Sequence, residues 1–199
     1  MNRITVYLLS ALFTLPLLAA AAPSLAIYVD LKSQPGSSAF RLMRAEVERL
    51  IKPSGLEVNW RKLADNRGLE AFGRVVVLRF KGSCGTPEAA EEPAGGSSVL
   101  ALSKVLKGTV LPFGEIECDQ VRSALSYMDP EAGFVERQMA LGLALGRVVA
   151  HELYHMLAQT TAHAKSGLAK ASQSLPDLIS RHKLSFSASD SRAIARGFK

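Results

Sequence analysis

The segment Val148-Val149-Ala150-His151-Glu152-Leu153-Tyr154-His155-Met156-Leu157 sets two histidines four residues apart, with a glutamate directly after the first. On a helix, positions i and i+4 share one face with Cβ atoms about 5–6 Å apart, so both imidazoles reach one ion at Zn–N distances of about 2.0–2.1 Å. Glu152 is displaced by one residue; it misses the ion but reaches a water bound to it. A metal lowers the pKa of that water toward about 7, and a carboxylate so placed takes its proton as the water attacks a carbonyl. The chemistry these residue types allow is hydrolysis through a metal-activated water. With only 4 histidines in 199 residues, a chance match to this pattern is on the order of 1% or less.

A catalytic zinc takes three protein ligands and leaves a fourth position open. The remaining histidines are His163 and His182, the downstream carboxylates are Asp177 and Asp190, and Glu152 is the last glutamate. His163 is closest. In an unbroken helix it would stand about 12 Å beyond His155 along the axis and face away from the ion. His163 is therefore the expected third ligand if the helix ends near Gln159, where the β-branched pair Thr160-Thr161 follows. Asp177 and His182 are the alternatives. Tyr154, inside the motif, and Tyr127 could stabilise an oxyanion, although a Tyr on such a helix more often packs.

His151-Glu152-Leu153-Tyr154-His155 resembles the active-site helix of the zincin metallopeptidases. That resemblance implies an α+β fold with a small mixed sheet, a long active-site helix and a short helical C-terminal part. It implies Zn2+ held by His151 and His155, Glu152 as general base, and a peptide or protein substrate paired to an edge strand near Val99 to Ser103. The chain departs from both named branches. Ala158 stands where metzincins have Gly, Thr161 where they have a third His, and no Met follows Met156. Gluzincins use a downstream Glu, which is missing here.

The elements that must carry this constellation are legible from periodicity. Leu25 to Leu31 reads as a strand, Ala39 to Ile51 as an amphipathic helix, Leu56 to Leu63 as a half-buried strand and Arg74 to Phe80 as a more central one. A Gly- and Pro-rich loop runs from Lys81 to Ser98. Val99 to Val105 and the short Ile116 to Cys118 are further strands, and Asp119 caps a small helix through Leu125. The dominant helix spans Gly133 to about Ala158, where Gly142 and Gly146 predict close packing against a sheet or another helix. A Pro176-initiated turn and a helix from Ala188 to Arg196 complete an α+β domain rather than a series of βαβ units.

Composition sets the context. A chain that is 48% hydrophobic and 21% charged is globular rather than disordered. Its net charge of +6 comes from Lys and Arg scattered singly, without the basic stripe and interleaved aromatics of a nucleic-acid binder. Arg3, the apolar run from Ile4 to Leu18 and the small residues that follow read as a signal peptide over 1–26, with cleavage after Ala26 or after Ala21, leaving a single domain over 27–199 and no stable membrane insertion. Export to a secreted or periplasmic location predicts a Cys84–Cys118 disulfide, worth roughly 3–4 kcal/mol through its constraint on the unfolded chain; free thiols or a metal-bound cysteine are the other options. No Gly-rich phosphate loop and no Gly-x-Ser-x-Gly elbow is present. The rival to a hydrolase is a zinc-binding envelope module that catalyses nothing, which would have no use for Glu152.

Overall fold

A computed structural model describes residues 23–31, 37–68, 70–86, 99–180 and 184–197. Most of the expected signal segment (residues 1–22), much of the Gly- and Pro-rich loop and His182 lie outside them. The elements are β1 (Ser24–Leu31), α1 (Ser37–Ile51), β2 (Glu57–Lys62), β3 (Arg74–Lys81), β4 (Ala101–Leu106), β5 (Thr109–Glu117), α2 (Cys118–Leu125), α3 (Phe134–Ala158), α4 (Leu175–Ile179) and α5 (Ala188–Arg196). The strands form one mixed sheet in the order β2-β1-β3-β5-β4. β1 is parallel to β2 and β3, β3 is parallel to β5, and β4 returns antiparallel along the edge of β5. The class is α+β. Among the described residues, β1–α1–β2 is the one unit in which a helix links neighbouring parallel strands.

Strand alternation divides the sheet into two faces. On β3, Val76, Leu78 and Phe80 are buried against the helices, while Val75 and Arg79 face out. On the open face, cross-strand ion pairs replace apolar packing: Arg79 meets Asp30 on β1, and Lys81 and Lys104 both meet Glu115 on β5. Such exposed pairs are each worth about 0–1 kcal/mol and mainly keep that face soluble.

Behind the sheet, α1 lies against α3, and the two glycines explain how closely. A Cβ added at Gly142 would stand 2.6 Å from the Leu42 Cβ, and one at Gly146 would stand 2.7 Å from the Glu46 Cβ. The glycine spacing therefore serves a helix–helix contact. Gly114 on β5 does the same on the sheet side, since a Cβ there would come within 2.5 Å of the Met156 Cε.

One expectation needs correction. β5 runs from Thr109 to Glu117 rather than from Ile116, because Pro112 and Gly114 disguise its first half. Pro112 is tolerated because it falls beside the register shift with β4 and just before the pairing with β3 begins at Phe113, so its missing N–H breaks neither ladder. A two-residue turn, Lys107-Gly108, joins β4 to β5 with φ of 49° and 81°. β1 begins at Ser24, and Leu25 and Ala26 are fully buried in it. A cut after Ala26 would strip the start of a central strand, whereas one after Ala21 would leave it whole.

Cys84 and Cys118 are bonded, tying the exit of β3 to the first turn of α2. Among the described residues, no helix is long and apolar enough to cross a membrane.

Candidate metal centre

The metal-site sequence occupies the last two turns of α3, which is buried almost continuously from Ala140 to Leu157. The helix stops at Ala158, and Gln159 caps it in the left-handed conformation, with φ 53° and ψ 47°. That conformation costs a non-glycine residue roughly 1–2 kcal/mol. It is offset locally: the Gln159 amide nitrogen donates to the Val110 carbonyl at 3.0 Å and the Met156 carbonyl at 2.6 Å. The backbone N–H of Thr160 also returns to the His155 carbonyl at 3.2 Å. The reversal expected between Ala158 and Thr161 is present, although a left-handed glutamine makes it rather than the two threonines alone.

After the reversal the chain folds back under the helix. Gly167, at φ 73°, turns it so that the Ala164 N–H donates to the Ala169 carbonyl at 2.8 Å. Leu168 is buried, and its carbonyl oxygen accepts from His151 Nδ1 at 2.8 Å. His155 Nδ1 donates to the Thr160 carbonyl at 2.7 Å. A carbonyl facing each Nδ1 puts the proton there and leaves each Nε2 with a free lone pair. The two Nε2 atoms are 3.1 Å apart. Nitrogens sharing one tetrahedral zinc at about 2.0–2.1 Å stand about 3.3 Å apart, so the pair is spaced for a common ion. Burial lowers the pKa of both rings, keeping them neutral and able to bind a metal.

His163 arrives from the returning chain. Its ring stacks on His151 at 5.3 Å and meets His155 edge-on at 4.8 Å. One ligand atom from each of the three histidines falls within 4.8 Å of the others. Three neutral-capable imidazoles, two with their outer nitrogens fixed by carbonyls, are a donor set that suits a borderline metal such as zinc.

The two carboxylate candidates, Asp177 and Asp190, are engaged elsewhere. Asp177 accepts from Lys170 Nζ at 2.6 Å and closes a capping box with Ser174 at the start of α4. The Lys170 hydrogen bond, with those from Ser174, holds its carboxyl down to about 2. Asp190 caps α5 through Ser187 in the same way. Tyr154 is buried and stacks on Phe186 at 5.8 Å, a packing role, while Tyr127 is 73% exposed and does not line the site.

Glu152 points from α3 toward β4. It is buried, and Ser103 Oγ donates to its Oε2 at 2.7 Å. Burial pushes its pKa up, against the Ser103 hydrogen bond and the nearby imidazoles. The three histidines and Glu152 line a cavity of about 560 Å³ together with Val99, Ala101, Ser103, Ala171 and Gln173. Sequence reasoning missed Ser103 and the carbonyls of Thr160 and Leu168. Nothing could have found the carbonyls, since a backbone oxygen carries no residue signature. No family model, curated protein or solved structure matches this chain.

Proposed function

We propose that this chain is an exported zinc-dependent hydrolase of the zincin type that cleaves peptide bonds. The observation that carries the reading is the convergence of His151, His155 and His163 on one point, with the Glu152 carboxylate beside them in an open cavity. A zinc ion held by the three imidazoles would supply Lewis acidity, polarising a substrate carbonyl and easing the ionisation of water. Glu152 takes the proton from the attacking water and returns it to the departing amine. Burial raises its pKa, the direction that suits a group which first accepts and then releases a proton.

β4 supports a peptide as the substrate class. Among the described residues it is the edge strand of the sheet, and it lines the cavity, which suits pairing with an extended peptide. The disulfide supports an oxidising, extracytoplasmic location.

The test is direct. Purified protein should carry one zinc per chain and cleave an unstructured protein such as casein. Glu152→Gln should keep the zinc, since all three ligands remain, and lose at least about 1000-fold in kcat, or about 4 kcal/mol of transition-state stabilisation. A wild-type protein that binds zinc and hydrolyses nothing, or a variant as active as the wild type, would refute the proposal.

A further inference from the structure

Ser103 is the described side chain that donates a hydrogen bond to the Glu152 carboxylate, at 2.7 Å to Oε2, and its Oγ lies 3.4 Å from the Glu152 carbonyl oxygen. Three features of the fold place it there. Ser103 faces the helix side of β4, in register with Gly114 on β5. Gly114 has no side chain and so lets α3 press against the sheet, with Met156 in the space a Cβ would take. That approach brings a side chain as short as serine within reach of the helix. Immediately beyond, the β4–β5 register shifts between Ser103 and Val105, an irregularity that re-aims the strand next to the site.

A glutamate has three side-chain torsions, and fixing them on burial costs rotamer entropy. A general base has to be held within about 0.5 Å of its working position. With Oε2 engaged by Ser103, Oε1 is the oxygen left to face a water at the histidine cluster.

We infer that Ser103 is a positioning residue: its hydroxyl fixes the Glu152 carboxylate with one oxygen turned toward the metal site, so that the base is aligned by the same edge strand that would pair with the substrate. This inference rests on the hydrolase reading for its catalytic consequence, but the hold of Ser103 on the carboxylate stands apart from it. A chance contact between a surface serine and a carboxylate would leave the carboxylate where it is when the serine is removed.

The experiment uses the full mature chain loaded with zinc, in wild-type, Ser103→Ala and Ser103→Thr forms. Crystal structures read the first arm. The Glu152 carboxylate should change rotamer in Ser103→Ala and keep it in Ser103→Thr, and an unmoved carboxylate in the alanine variant overturns the inference. Kinetics on an internally quenched peptide that the wild type cleaves read the second. Ser103→Ala should lower kcat about tenfold, with KM and zinc affinity within about twofold, and Ser103→Thr should recover most of the loss. An unchanged kcat, or a loss confined to KM or to zinc binding, also overturns it. If the wild type cleaves nothing, the hydrolase proposal fails, and the crystallographic arm still decides whether Ser103 positions Glu152.

Discussion

Arg147 and Glu152 sit five residues apart on α3, are exposed by only 2% and 6%, and are treated in opposite ways. Arg147 is bonded through all three of its guanidinium nitrogens. Its Nε donates to Glu46 at 3.0 Å, and its two terminal nitrogens donate to the carbonyls of Asp177 and Ser180 at 2.8 Å each. Glu46 in turn accepts from Arg49, which also reaches the Leu184 carbonyl at 2.8 Å. Burial alone would raise the Glu46 pKa; the hydrogen bonds from Arg49 and Arg147 outweigh it and bring it below the usual value. Glu152 has one hydroxyl donor, and burial wins, leaving its carboxyl raised. One turn of the same helix thus closes its polar groups on one another, and the next leaves imidazole lone pairs and a carboxylate oxygen uncommitted. A buried polar cluster that serves only the fold is completed within the protein. One that serves chemistry leaves valences for what it will bind.

The contrast implies a double dissociation between stability and metal binding. The largest effect is expected from Arg147→Ala, which leaves two carbonyls without their donor and weakens the partnership of Glu46. It should cost about 3–5 kcal/mol in urea unfolding, while the folded fraction still binds one zinc per chain. Loss of zinc with little loss of stability would mean that the two regions are not separate.

His163→Ala should do the reverse. Its exposed side chain contributes little to packing, so metal-free stability should change by less than about 0.5 kcal/mol. Zinc affinity, measured by chelator competition, should fall at least about 100-fold, or about 2.8 kcal/mol. Affinity like that of the wild type would remove His163 from the site.

The smallest effect belongs to Asp177, which is polar and built into a cap rather than a core. Its folded pKa of about 2 lies below the ordinary value, so its contribution is full above about pH 4 and is lost as pH falls through its folded value. Asp177→Asn should destabilise by about 0.5–1 kcal/mol at pH 7, with zinc affinity unchanged. Thermal melts of the two proteins should converge as pH approaches 2; a constant gap would show that the carboxylate charge is not what the cap uses.

How much of this was legible in advance differs by element. α3 and α1 stood out because their apolar residues recur at helical spacing over many turns, and their ends fall within two residues of the expected ones. β5 was half hidden, because a strand's pattern is short and Pro112 and Gly114 each argue against one when read alone. They become acceptable only beside a register shift and beneath a helix that needs the room. At the site, the two helix histidines were legible because i and i+4 settle their geometry without any reference to the rest of the fold.

The sequence by itself thus determined which residues could meet on one helix face, the helices that carry them, and that two cysteines were available to pair. Tertiary structure alone decided that Gln159 turns left-handed and sends His163 back to the pair, that two backbone carbonyls orient the imidazoles, and that Ser103 reaches Glu152 across 49 residues of chain. The physical reason is range. Helical spacing is a local property written in every turn, whereas a contact between distant segments exists only once the sheet and helices have packed and excluded the alternatives.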